Sequence, residues 1–401
     1  RMVPMSEIAD EKNDFNLNIP RYIDSSEPED LQDIEAHLKG GIPMRDIEAL
    51  SDDWAVMPSL RDCLFGAGDR DGYMTPKVEP AEVKATILNH PEFAAYAKSV
   101  HAVFDAWSSA HRDRLKAIKV GDKPKELIVD IAEDLLNRFA DVPLIDKYDV
   151  YQHLMNYWSD VMQDDVFILV QDGWEAAKQV RELTKNADGK YAEEPDIVLG
   201  SGRSAQRLKA ELIPPTLMVA KFFAKEQAAI EALDAKAEEA ARAIEEMDEE
   251  HGGEDGLLFD AKTDKGKLTA KSVKDRLKDI KGDKDADDER AKLQECLELI
   301  EQEKDASDAA KQAKTALDVK VVQKCPKLTD GEAKVLVVDC KWLAALKADI
   351  EGEIDRVSQS LTGRVKLLTE RYALPLPKLS ETVEALSAKV DAHLKRMGFA
   401  A

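Results

Sequence analysis

The sequence predicts an all-α protein: a helical globular body plus a long antiparallel, coiled-coil-like helical arm. From Val78 onward apolar residues recur three and four apart, the spacing of one helix face. Aromatic residues make up only 6% of the 401 while hydrophobic residues reach 44%, a balance that favours helices packed through Leu, Ala, Val and Ile over a β-sandwich. Two long stretches rich in alanine and charge also carry heptad-spaced apolar seams. No clear strand pair and no fixed-period repeat is visible. The length admits two or three domains, each with its own core. Composition places their boundaries at 1–75, 76–215 and 216–401.

Residues 1–75 read as irregular, broken by Pro20, Pro28, Gly40-Gly41, Pro43 and Pro58. The acidic run Ser26 to Glu35 reads as a loop entering a short helix, and Gly66 to Gly72 as a turn-rich break. Pro80 sits at the first turn of a helix running toward Asn89, and Pro91 opens the next. That helix shows Phe93, Tyr96, Val100, Phe104 and Trp107 on one face. Leu127, Ile131, Leu135 and Phe139 repeat the spacing. Leu144 to Trp158, continuing to Leu169, forms an aromatic-rich helix at the heart of the body. Ser201, in N-cap position, begins another helix that Pro214-Pro215 interrupts.

The arm follows. Phe223, Ile230, Leu233, Ala237, Ala240, Ile244 and Met247 form one seam, stopped at His251-Gly252-Gly253. Leu293, Leu297, Ile300, Ala306, Ala310, Ala313 and Leu317 form the second, expected to pair antiparallel with the first. The polar Lys/Asp-rich stretch between them reads as a flexible loop from Lys265 to Lys284, with one short helix after Thr269. Thr329-Asp330-Gly331-Glu332 matches a capping box. Leu346, Ile350, Ile354, Val357, Leu361, Val365 and Leu368 mark the core face of a long helix. After a stiff Leu374-Pro375-Leu376-Pro377 linker, a last helix shows Val383, Leu386, Val390, Leu394 and Met397 before Gly398.

The formal charge of −23 excludes a general nucleic-acid binder, because neutralising phosphates takes a surplus of Lys and Arg. A local basic face stays open: Arg112, Arg114, Lys116, Lys119, Lys123 and Lys125 cluster against the acidic background. They read as a solvated helix end or as DNA-phosphate contacts. Likewise Leu386, Val390, Leu394 and Met397 read either as intramolecular packing or as a subunit-docking edge. Four scattered cysteines (Cys63, Cys296, Cys325, Cys340) suit a reducing cytoplasm, without a disulfide framework or zinc site. No run approaches a membrane span, and Arg1 to Met5 lacks the apolar core of a signal peptide. An opening on Arg1 reads as a fragment.

No catalytic, cofactor-binding or metal-ligating residue can be assigned. The G-x-G triplets at Gly66 and Gly200 read as turns, because neither follows a strand within a βαβ unit. The seven histidines give no metal spacing, and His153 reads as a hydrogen-bonded packing residue.

Asn13-Asp14-Phe15-Asn16-Leu17-Asn18-Ile19-Pro20-Arg21-Tyr22-Ile23-Asp24 resembles the segment that closes the catalytic domain in modification (M) subunits of type I restriction-modification systems. Leu144 to Leu169, Leu208 to Pro215, Glu250 to Leu258, Arg371 to Pro377 and His393 to Gly398 resemble the helical region beyond that domain. The resemblance implies a DNA adenine-N6 methyltransferase that uses S-adenosylmethionine. Two M subunits join one specificity (S) subunit, and restriction (R) subunits join to cleave unmodified DNA. C-terminal helices of M contact helical regions of S in this family. The family's cofactor turn and its Asn/Asp-Pro-Pro-aromatic loop have no matching positions here. The expectation is therefore an assembly region, catalytically inactive alone and without its own cofactor. The rival expectation is a stand-alone acidic helical scaffold or DNA mimic, which needs carboxylates along one continuous face; here Lys and Arg interrupt them.

Overall fold

The computed structural model describes residues 3–10, 12–18, 22, 31–186, 190–200, 202, 205–283 and 286–398. Most of Ile19 to Asp24, the acidic run from Ser26 to Asp30, Ser201 and Lys284 lie outside them. The chain is mostly helical, 69% helix against 6% strand. It divides into two compact units, 1–96 with 356–401 and 97–355. The composition breaks at 75 and 215 lie inside these units.

In the first unit, short helices (Ile34–Lys39, Met44–Glu48, Ser51–Val56, Pro58–Leu64, Val83–Leu88) surround a small antiparallel sheet. Its strands β1 (Ile42–Pro43), β2 (Phe65–Ala67) and β3 (Tyr73–Pro76) lie in the order β1-β3-β2, with Ile42 opposite Met74 and Phe65 opposite Pro76. Gly68 is required at the β2–β3 turn, since a Cβ there would lie 2.6 Å from the Tyr73 carbonyl oxygen. Ile42, Ile47, Leu60, Leu64 and Phe65 are buried, as are Leu361, Val365 and Leu368 of the helix Ala344–Arg371. Beyond that helix, Tyr372 donates to the buried Asp46 carboxylate at 3.1 Å and accepts from the Asp33 amide at 3.2 Å. Glu92 accepts from the Ser59 and Leu60 amides at 3.0 and 3.1 Å, satisfying donors at the start of Pro58–Leu64.

In the second unit, the part of Pro91–Lys116 beyond Tyr96 buries Phe104 and Trp107, and Pro124–Arg138 buries Leu127, Ile131 and Leu135. The Trp107 indole donates to the Ile131 carbonyl at 3.0 Å. Asp146 caps Lys147–Tyr157, which passes through a π-helical turn (Trp158–Met162) into Gln163–Asp172. Val150, Leu154, Trp158, Met162, Val166 and Leu169 are buried along this run, whereas Tyr148 and Phe167 stay exposed. The aromatic content of the run therefore overstates its share of the core.

Residues 181–209 correct the sequence reading. Strands β4 (Arg181–Glu182), β5 (Ile197–Leu199) and β6 (Gln206–Lys209) form an antiparallel sheet in the order β4-β6-β5. No helix lies between residues 205 and 214. Pro214-Pro215 opens a helix instead of interrupting one, with Pro214 at the N-cap and Pro215 at the first position of Pro215–Phe222. There the missing amide costs nothing and the fixed φ is favourable. The expectation of no strand pair also fails. Strands of two to four residues are too short for alternation to register.

Ala224–His251 and Asp287–Lys324 pack antiparallel: Glu226 pairs with Lys320 at one end, while Asp248 acts on the buried Cys296 at the other. Ile230, Ala240 and Met247 are buried on one helix, and Leu293, Cys296, Ala310, Leu317 and Val321 on the other. The stretch between them, expected as a loop, is folded. Leu258, Ala261, Val273, Ile280 and Ala286 close a hydrophobic cluster with Met247, Leu293 and Cys296. Arg276 pairs with Glu289 at 2.6 Å and Asp260 at 2.9 Å. Thr269 and Ser272 form a capping box for Ala270–Asp279. Polar composition concealed this cluster because its apolar members are few and all point inward.

The second capping box, Thr329 with Glu332, starts Asp330–Lys334. It leads through a π-helical segment, Val335–Leu343, into Ala344–Arg371, whose Leu346, Ile350 and Ile354 are buried.

Candidate functional site

Two candidate surfaces come from the sequence, and the structure treats them differently. In the basic cluster, Lys116 lies 2.5 Å and Arg112 3.1 Å from the two oxygens of Asp339. Arg114 lies 2.6 Å from Asp130 and Lys123 2.6 Å from Glu126. The hydrogen bond to Glu126 holds the Lys123 ammonium above its ordinary pKa. Lys119 and Lys125 are exposed, and among the described residues their ammonium groups make no ion pair. Four of the six cations thus already face a carboxylate, leaving two as free phosphate ligands. The signal missed in the sequence lay far away, because Asp339 is a residue of the distant π-helical segment.

The helix Leu376–Arg396 follows Pro375 at its N-cap, with Pro377 inside its first turn. Gly398 ends it at φ +86°, in the left-handed region. His393, Lys395 and Arg396 complement the dipole in the last turn. All of its residues are exposed. Leu386, Val390, Leu394 and Met397 are 55%, 56%, 38% and 71% exposed, continuing an apolar line from Leu376, Leu379 and Val383. Monomers ordinarily expose contiguous apolar patches of only a few hundred Å². This helix touches Ile34–Lys39, yet its apolar side stays exposed, the sidedness of a packed helix without its burial.

Sequence reasoning missed a buried polar cluster in the second unit. The Asp165 carboxylate, 4% exposed, accepts from Lys341 Nζ at 2.6 Å and from the Trp342 indole at 2.7 Å. Lys341 also donates to the Leu212 carbonyl at 3.0 Å. Burial raises the Asp165 pKa, against the opposing pull of Lys341 and Trp342. Burial likewise raises the Tyr157 phenol, which donates to the Lys341 carbonyl at 3.3 Å. His153 lies 2.9 Å from Glu353. Both donors converge on the Oδ2 oxygen of Asp165, so this arrangement ties Gln163–Asp172 to Val335–Leu343. The sequence signal was a pair of charges inside each of two largely apolar runs, Asp164 and Asp165 in Val161 to Leu169, Asp339 and Lys341 in Val335 to Leu343.

A cleft of about 660 Å³ lies in the first unit between the β2–β3 hairpin and residues 369–378. Arg70 stacks 3.8 Å over the Tyr73 ring and donates to the Gly40 carbonyl, and the hydroxyls of Tyr73 and Tyr372 are spent on the Asp33 and Asp46 carboxylates. Gly66 and Gly68 belong to this antiparallel hairpin, not to a strand-to-helix turn. They therefore do not fit the phosphate- and nucleoside-binding turns of α/β folds. Among the described residues no cluster of three or more His, Cys, Asp or Glu could hold a metal ion. No helix among them is long and apolar enough to cross a membrane. No protein-family model matches the chain, and searches of curated proteins and of solved structures find no match either.

Proposed function

We propose that this chain is the assembly region of a type I restriction-modification M subunit, which docks on the S subunit through Leu376–Arg396. The observation that carries the reading is the exposed apolar line from Leu376 to Met397 on a helix that buries none of it. A helix of this kind gains its stability from a partner groove or helix. The Ala224–His251 and Asp287–Lys324 pair is, on this reading, a coiled-coil arm with a folded tip. It holds twenty carboxylates against ten Lys and Arg, which suits a spacer between subunits and opposes wrapping of phosphates. Any DNA contact from the basic cluster falls to Lys119 and Lys125. S-adenosylmethionine, a second M subunit and the R subunit belong to the assembled enzyme, and no residue here is assigned to the cofactor or to catalysis.

Co-expression with the cognate S subunit tests the reading. The chain should co-purify with S, and Leu386→Ser with Val390→Ser should abolish the complex while helicity is retained by circular dichroism. Retention of the complex by that double variant would refute docking through this helix.

A further inference from the structure

The Leu376–Arg396 helix also specifies what its partner looks like. In a seven-residue repeat, Leu376, Val383, Val390 and Met397 occupy the first position and Leu379, Leu386 and His393 the fourth. β-branched residues at the first position with Leu at the fourth favour pairing with a single helix over larger bundles. At about 1.5 Å per residue the seam runs roughly 32 Å. One side of it carries Thr382, Lys389 and Arg396, the other Ser380, Ser387 and Leu394. The seam therefore has a basic flank and an uncharged flank. Among the described residues neither Lys389 nor Arg396 makes an ion pair, and both are exposed.

We propose that the occupant of this seam is one helix of a different polypeptide, bearing acidic side chains opposite Lys389 and Arg396. The proposal rests on the docking reading and adds the partner's charge and number of helices. A second copy of the chain fits poorly in either direction. In an antiparallel pair like flanks meet, so Lys389 faces the same basic side of the second copy. In a parallel pair each flank meets the opposite one, which sets Lys389 against Leu394 of the second copy and leaves the ammonium without a carboxylate. Charges flanking a heptad seam choose the partner and its direction more than they set its stability. Glu384 and Asp391 lie one position further out, beyond the uncharged flank, and serve as the control.

The test combines light scattering on the full chain with calorimetric binding to the S subunit. The chain alone should be monomeric at tens of micromolar. Lys389→Glu with Arg396→Glu should weaken S binding about tenfold at low salt, a difference that shrinks as salt rises. Glu384→Lys with Asp391→Lys should bind as the parent does. Circular dichroism checks that each variant keeps its helix content. A dimer of the chain alone that Leu386→Ser dissolves would name the second copy as occupant and overturn the proposal. Unchanged binding by the Lys389 and Arg396 variant, with binding lost in Leu386→Ser, would refute the charge assignment and leave docking standing. Unchanged binding by Leu386→Ser would remove docking and the proposal together.

Discussion

Replacing Asp165 by alanine removes the acceptor that Lys341 and Trp342 share. The pair is buried, with side-chain exposures of 5% for Asp165 and 13% for Lys341. The variant leaves an ammonium held only by the Leu212 carbonyl and an indole N–H with no partner at that site. Breaking one side of a buried pair costs about 3–5 kcal/mol, of which the stranded indole donor supplies about 1–3. A loss near 4 kcal/mol is thus expected in urea unfolding at pH 7, followed by helix circular dichroism and by tryptophan fluorescence. Asp165→Asn keeps an acceptor oxygen and should lose less. Lys341→Met tests the sign. Without the cation, burial raises the Asp165 pKa further above 3.8, its unperturbed value. A carboxyl with a raised folded pKa favours the fold while protonated, and that contribution is lost as pH rises through the folded value. Lys341→Met should therefore approach the parent's stability at pH 4 and fall behind by pH 8. An Asp165→Ala variant within about 1 kcal/mol of the parent, with unchanged denaturant dependence, would refute the clamp.

Other substitutions read out single features. Thr329→Ala should cost about 1 kcal/mol in thermal unfolding by removing the cap. Glu332 in the same box is held below its ordinary 4.5, first by the Thr329 amide; its contribution is present above that value and fades as pH falls through the lowered one, so the variant's deficit should shrink in melts at pH 3. Gly40→Ala and Gly72→Ala both force a left-handed residue, at about 1–2 kcal/mol, but only Gly40 would place a Cβ 3.1 Å from Pro375 Cγ. Its melting temperature should drop further than that of Gly72→Ala. Lys116→Ala should destabilise by about 1 kcal/mol and Lys125→Ala by less than about 0.5, because only the first faces a carboxylate in a half-buried setting.

The long helices were legible because each shows several turns of one-sided apolar spacing. Leu346 through Leu368 are buried at every position the spacing names. The Pro91 start and the Thr329 capping box were legible for a local reason, since both act within a single turn. What stayed hidden was set by distance. Pairing of Lys116 with Asp339, or of Asp165 with Lys341, joins residues far apart in sequence, and a charge inside an apolar run announces burial without naming its partner. The strands β4, β5 and β6 escaped for the opposite reason, being too brief to establish a period. For the docking candidate, the sequence supplied the apolar line and left its covering open; the structure adds that its apolar residues are exposed among the described residues.

The folded tip between the two long antiparallel helices has a kinetic consequence. Its contacts join near neighbours, as between Arg276 and Glu289, 13 residues apart. The far end of the pair is closed by Lys320 and Glu226, 94 residues apart. Once the tip has formed, each further contact encloses only a few more residues, so the entropy of closing the long loop is met in small steps. The pair should fold as a zipper that starts at Leu258 and Val273. Leu258→Ala should therefore slow refolding in stopped-flow traces, whereas Leu317→Ala, near the open end, should chiefly speed unfolding.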